Sequence, residues 1–216
     1  MATTTFEYCS LSYLNLWLKD DKNYCDALAT GNRSEKLSAL RSAAFTYRIA
    51  RTLHSSLTGP ARYESLLDII DSQEPIQFEN DIVKEIRNVA ARISVKYGHR
   101  NVLSATTKFL WIKIKQPILI FDSRARNALG IRNNNGLEDF YDKWRAGFEN
   151  NKTAIVNACS KLPEMNKYAL DQEVATKDYI RKISNKTWFH ERVFDIYLWN
   201  KGGNVKMAGS TEEMET

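Results

Sequence analysis

The sequence predicts an all-α protein, and three observations predict it. Apolar residues recur at three- and four-residue spacing along most of the 216 positions. Only 9 Gly and 4 Pro are present, too few turn-formers for a sandwich or barrel of many short strands. The chain is 43% hydrophobic and 26% charged, which excludes a mostly disordered polypeptide. The expectation is about nine or ten helices over residues 1–201, as one domain or two small lobes sharing a core. A polar tail, 202–216, is expected to be disordered.

Taken in order, Tyr8–Leu18 reads as a first helix, with Leu11, Leu14 and Leu18 on one stripe. Ser34–Leu57 is a long helical pattern with Ser34 as its N-cap, ended by Gly59-Pro60. Tyr63–Ile70 is a short helix closed by the turn-rich Asp71–Pro75, and its acids Glu64, Asp68 and Asp71 read as a solvated face. Phe78–Tyr97 is helical and stops at Gly98. Asn101–Lys115 is helical and is broken by Pro117, because proline lacks an amide donor and clashes with the preceding turn. Pro117–Phe121 is apolar and extended, with no obvious strand to pair with. A short helix, Ser123–Leu129, ends at Gly130, and a polar loop runs from Arg132 to Gly136. Leu137–Phe148, Thr153–Leu162, Asp171–Ile183 and Thr187–Asn200 complete the set.

Several classes of function fall away on composition. No run of about 18 apolar residues exists, so no membrane span and no membrane partner are expected. The opening MATTTFEYCS has neither a basic stretch nor an apolar core, so no signal peptide is expected and the protein is placed in the cytoplasm. Cys9, Cys25 and Cys159 are far apart, and His54, His99 and His190 are scattered. Nothing in that spacing calls for a disulfide framework, a metal or another cofactor. His190-Glu191 lacks the second histidine of a metalloprotease helix, since position 194 is Phe.

Net charge is +5, which favours an anionic partner. The stretch Lys108–Arg132 holds Lys108, Lys113, Lys115, Arg124, Arg126 and Arg132 against Asp122 alone. Such a run is either a solvated basic face or a surface for a phosphate backbone.

Within that stretch two residues stand out. Lys108 sits on a helix whose Val102, Leu103, Ala105, Phe109, Leu110, Ile112 and Ile114 occupy most of its circumference, the pattern of a buried helix. Burial and neighbouring cations favour a neutral amine, which is a nucleophile or base. The same pattern fits a lysine that snorkels to solvent. Asp122 ends the apolar run Ile118-Leu119-Ile120-Phe121 and opens a helix. It serves as an N-cap, as a carboxylate aimed at a ligand, or as both. Arg124 and Arg126 follow at once, placed to hold it ionised or to reach a phosphate.

Lysine on an apolar helix, a proline-containing link, an extended apolar run and aspartate at a helix start resemble the core of the helix-hairpin-helix DNA glycosylases. Thr107-Lys108-Phe109-Leu110 matches the family's lysine segment, and Ile118–Arg126 its aspartate segment. The two residues are 14 positions apart, somewhat closer than the family usually shows. The resemblance covers Asn101–Gly130. The family's Leu-Pro-Gly-x-Gly hairpin is missing, and Gly98-His99-Arg100-Asn101 stands in its place. The four-cysteine cluster of some members is missing too. The branch it is most similar to includes archaeal 8-oxoguanine glycosylases and prokaryotic glycosylases acting on hypermodified phage bases.

The resemblance implies a two-lobed helical bundle with a cleft and cleavage of an N-glycosidic bond in double-stranded DNA. Asp122 and Lys108 would be the catalytic pair. An ionised Asp122 would stabilise the oxocarbenium-like sugar, and a neutral Lys108 would attack C1′ to give a Schiff base and strand cleavage. With Lys108 charged, water is the nucleophile and an abasic site remains. A flipped base needs faces to stack on. Trp17, Trp111, Tyr141 and Trp144 are the candidates, each also suited to core packing, as are Phe109, Tyr13, Trp188 and Phe189. Arg100, Asn101, Lys113, Lys115, Arg124, Arg126 and Arg132 are the candidates for the DNA backbone. The competing expectations are a non-catalytic helical module for DNA or RNA and a helical protein-interaction domain. No sequence feature sets the oligomeric state, and a monomer is expected.

Overall fold

Five helix starts, at Thr5, Asn32, Asp81, Asp122 and Thr176, are marked by a side chain that accepts from an amide the helix itself leaves unpaired. The computed structural model describes residues 4–53, 58–75, 81–132 and 136–208. Among these there are ten α-helices and no strand. They fall into two compact units, each taken by itself below. One is Lys19–Phe121, and the other joins the chain up to Leu18 with the chain from Asp122 onward.

In the second of these units, α1 (Phe6–Leu16) is capped by Thr5, whose hydroxyl accepts from Tyr8 N. The unit continues with α7 (Ser123–Ala128), α8 (Leu137–Ser160), a 3-10 turn over Leu162–Tyr168, α9 (Lys177–Ser184) and α10 (Thr187–Ala208). The two helices expected over 137–162 are one. The polar Glu149–Lys152 segment reads as a break, yet most of it lies on an exposed face and no proline interrupts it. Asp171–Ile183 is helical only from Lys177, where Thr176 accepts from Tyr179 N. Helix α10 passes Asn200 and runs to Ala208, so the first part of the expected tail is helical, while 209–216 lie outside the described residues.

The aromatic core of this unit explains its cohesion. Tyr13, Phe140, Trp144, Phe189 and Phe194 are almost fully buried, each contributing about 1.5–3 kcal/mol of apolar burial. Trp144 stacks on Phe148 at 5.2 Å and meets Phe194 edge-on at 5.1 Å. Gly202 explains why α10 does not stop early: a Cβ there would lie 1.8 Å from the Arg124 carbonyl oxygen, so only glycine lets α7 pack this closely.

The Lys19–Phe121 unit holds α2 (Lys22–Thr30), which no sequence pattern announced, then α3 (Arg33–Thr46), α4 (Glu64–Asp71), α5 (Ile82–Lys96) and α6 (Leu103–Ile114). Helix α3 starts one residue earlier than expected. Asn32 accepts from Glu35 N while the Glu35 carboxylate accepts from Asn32 N, a reciprocal cap that outcompetes Ser34. It also ends at Thr46 rather than Leu57. Arg48 turns to a left-handed φ of 56°, and Ile49 N closes the helix on Ala44 O. Single 3-10 turns follow at Ala50–Thr52 and Gly59–Tyr63, and 54–57 are not described. Helix α5 begins at Asp81, which caps Lys84 N, and the expected start at Phe78 lies outside the described residues.

The acids of α4 are solvent-exposed, as expected, and are also paired. Asp68 pairs with Arg33, and Asp71 bridges Lys36 on α3 and Lys113 on α6 at 2.8 and 3.0 Å. Helix α6 is buried nearly all round, as its sequence predicts. It stops where Lys115 takes a φ of 64°. Ile118, Leu119, Ile120 and Phe121 then run extended, each 5% exposed or less, with no strand partner among the described residues.

Candidate active site

Lys108 lies in the middle of α6 and is 5% exposed, so it does not snorkel to solvent. Its ammonium group donates to Ser104 Oγ, one turn earlier, at 2.9 Å. The next residue back, Thr107, is fully buried. Its hydroxyl donates to Ser104 O at 3.1 Å and accepts from Phe121 N at 3.1 Å. That second bond satisfies a buried amide that has no strand ladder to join. It also fastens the end of the extended run to the helix that carries the lysine.

Asp122 follows Phe121 and opens the other unit, where it caps α7. Its Oδ1 accepts from Arg124 N at 2.9 Å, and its backbone oxygen accepts from Arg126 N at 2.9 Å. The carboxylate is half-buried. Burial pulls the half-buried Arg126 guanidinium below its ordinary range, and the Asp122 charge opposes that. Deeper in the same unit, Asp195 pairs with Arg192 at 2.8 Å and accepts from Trp144 Nε1 at 2.8 Å. Burial raises the Asp195 carboxyl, against the pull of Arg192 and Trp144.

The aromatic candidates are packed side chains. Trp111 is 1% exposed, and Tyr141 and Trp144 are 2% exposed. The indole N–H of Trp144 is spent on Asp195 and that of Trp17 on Tyr179 Oη, at 2.8 Å each. Phe109, Tyr13 and Phe189 are equally buried, and the Trp188 ring lies 4.6 Å from that of Trp17. Trp199, which sequence spacing groups with the core aromatics, is 43% exposed and lies under the Arg124 guanidinium at 3.9 Å.

The basic candidates divide. Arg100, Asn101, Arg124 and Arg132 are exposed. Lys113 is turned to Asp71. Lys115 stands beside Cys25, whose thiol burial pushes up to about 12 while Lys115 pulls the other way. Gly98 and His99 both take left-handed φ, 74° and 55°, and Asn101 Oδ1 accepts from Leu103 N at the start of α6. His190, weighed as an acid–base group, is engaged with Ser184 O at 2.7 Å and held below its ordinary range by burial.

Sequence reasoning missed a second basic stretch. Between Glu35 and Glu64 the chain has Lys36, Arg41, Arg48, Arg51 and Arg62 and no acid at all. That signal was legible, since it needs only the positions of Asp and Glu. Set against protein-family models, curated proteins and solved structures, the chain matches none.

Proposed function

We propose that the chain is a DNA glycosylase that releases a modified base from an everted nucleotide, with Asp122 and Lys108 as its reacting groups. The observation that carries this reading is the bond from Phe121 N to Thr107 Oγ1, which ties the sequence neighbour of the carboxylate to the sequence neighbour of the amine. Lys108 is buried and held by Ser104 Oγ at 2.9 Å, and burial favours the neutral amine that a nucleophile needs.

The chemistry follows from these two groups. The C1′–N bond breaks with its electron pair leaving on the base, and positive charge spreads onto the sugar C1′ and O4′. The Asp122 carboxylate stabilises that charge. A neutral Lys108 Nζ then bonds to C1′ and passes one proton to the departed base. C1′–O4′ breaks with its electron pair going to O4′, which takes the second Nζ proton, and the resulting C1′=Nζ Schiff base is reduced by borohydride to a stable adduct. The base is a hypermodified pyrimidine of phage DNA, such as glucosylated hydroxymethylcytosine, which would make the protein an antiviral defence. An oxidised purine such as 8-oxoguanine is the other substrate to try.

The test is incubation with DNAs carrying each modified base, with free base identified by mass spectrometry and abasic sites scored. Asp122→Asn loses base release by roughly a thousandfold or more, and Lys108→Gln yields no borohydride adduct. Base release by Asp122→Asn at the parent rate sinks the proposal. The non-catalytic module draws on the exposed Arg100, Arg124 and Arg132, and it predicts DNA binding with no base released from any of these substrates.

A further inference from the structure

Helix α3 buries Leu37, Leu40, Ala43 and Ala44 and turns Ser34, Ser38, Arg41, Ser42 and Phe45 outward. The outward face is unusual in two ways. It has no acid beyond Glu35 at its start, and it ends in a phenylalanine that is 61% exposed although the core does not need it. Arg41 and Phe45 are one turn apart. Arg48 follows directly after the helix, and Arg51 lies in the next 3-10 turn, both exposed.

The unit fixes this arrangement and, among the described residues, pairs none of its three arginines with an acid. The Arg62 guanidinium donates to Ala50 O at 2.5 Å and, through Nε, to Leu53 O at 2.7 Å, so it clamps the turn that carries Arg51. The acids of α4 are paired at the start of α3, Glu64 and Asp68 with Arg33 and Asp71 with Lys36, and at its far end Asp21 accepts from Tyr47 Oη at 2.7 Å. Among the described residues none of Arg41, Arg48 and Arg51 has an ion-pair partner.

Arg48 adds an independent observation. Its φ of 56° is a conformation that glycine adopts freely and side chains with a Cβ resist. A helix end built for stability alone would place glycine there. A cation kept at a strained position, among two others and an exposed ring, points to a ligand.

We infer that the face formed by Arg41, Phe45, Arg48 and Arg51 binds a single-stranded segment of DNA, the arginines on successive phosphates and Phe45 stacked on an unpaired base. Guanidinium forks match phosphate oxygens, serine hydroxyls at 38 and 42 are further donors, and an aromatic ring among cations is the device by which unpaired strands are held without regard to sequence. The surface rests on the proposed function only in taking DNA as partner; it does not involve Lys108 or Asp122.

The experiment measures binding of the full chain to a fluorescein-labelled single-stranded DNA oligonucleotide, to its duplex and to the same strand as RNA, across a salt series. The triple variant Arg41→Ala/Arg48→Ala/Arg51→Ala loses tenfold or more in affinity near 0.1 M salt. The slope of log affinity against log salt falls by about 2 (roughly 0.7 for each lost phosphate contact). Phe45→Ala weakens the single strand about tenfold and the duplex little. Arg48→Gly weakens binding about threefold while melting at or above the parent temperature, which separates lost contact from lost fold. An unchanged salt slope in the triple variant, equal effects of Phe45→Ala on both DNA forms, or tighter binding of RNA than DNA overturns the inference. Failure of base release from every DNA, with binding still lost in the triple variant, removes the glycosylase reading and leaves this one standing.

Discussion

The stretches Lys108–Arg132 and Lys36–Arg62 are both basic, and the structure treats them in opposite ways. In the first, Lys108 is buried, Lys113 is paired with Asp71 and Arg126 is half-buried, leaving Arg124, over the Trp199 ring, and Arg132 exposed. In the second, Lys36 and Arg62 turn inward to a carboxylate and to carbonyls, and Arg41, Arg48 and Arg51 face solvent. The difference comes from hydropathy around the helix, not from charge. Apolar residues girdle α6, so any cation on it must be buried or partnered. On α3 the buried residues, Leu37, Ala39, Leu40, Ala43 and Ala44, leave an outward side that carries Arg41 and the exposed Phe45. A charge count along a chain locates cations; the width of the apolar stripe decides what they can reach.

This contrast is open to direct attack. Substitutions in the inward stretch should move stability and leave the salt dependence of DNA binding alone, while those on α3 should do the reverse. The largest stability effect is expected at Thr107→Val, which keeps shape but removes the hydroxyl that accepts from the buried Phe121 N. A buried amide left unsatisfied costs about 1–3 kcal/mol, seen as a lower urea midpoint at constant m-value. Next comes Arg124→Ala, which uncovers the Trp199 ring and loses about 0.5–1 kcal/mol of cation–π attraction. If its main consequence is instead a shallower salt slope, Arg124 belongs with the outward group and the contrast is drawn in the wrong place.

What could be read from the sequence follows the same physical line. Local signals carried through: the apolar girdle of α6, the stop before Pro117, the capping position of Asp122 and the glycine that ends α5 all depend on neighbours within a turn or two. The reciprocal Asn32–Glu35 cap was equally local, and Ser34 simply lay closer to the periodic residues. The losses are long-range. Nothing near Lys113 announces Asp71, 42 positions away. Nothing near Gly202 and Gly203 announces that α7 packs against them, so two poor helix formers read as a tail when they are a contact. The end of α3 failed for another reason: arginine seldom takes a left-handed φ, so Arg48 gave no sign of a stop. In the candidate site, the apolar girdle around Lys108 and the cap at Asp122 were legible; that the lysine stays buried rather than snorkelling was not, nor was the Thr107–Phe121 bond, because a hydroxyl in mid-helix looks like any other.

The smallest effect isolates the inward stretch by pH. Lys36 holds the Asp71 carboxyl below its ordinary range, burial opposes it, and Lys113 adds to the lowering. A carboxyl depressed in the folded state contributes stability that is complete above its unfolded value near 4 and is lost as pH falls through the folded value. The carboxylate is 37% exposed, so solvent screens the pair and Asp71→Asn costs only about 0.5 kcal/mol at neutral pH. The diagnostic is the shape of the curve. Parent and variant should differ at pH 7 in urea unfolding and converge as pH falls through the lowered folded-state value, with DNA affinity and its salt slope the same in both. A difference that persists undiminished in acid would mean that Asp71 acts by packing rather than by charge, and Lys113 would then have been turned inward for a reason other than its partner.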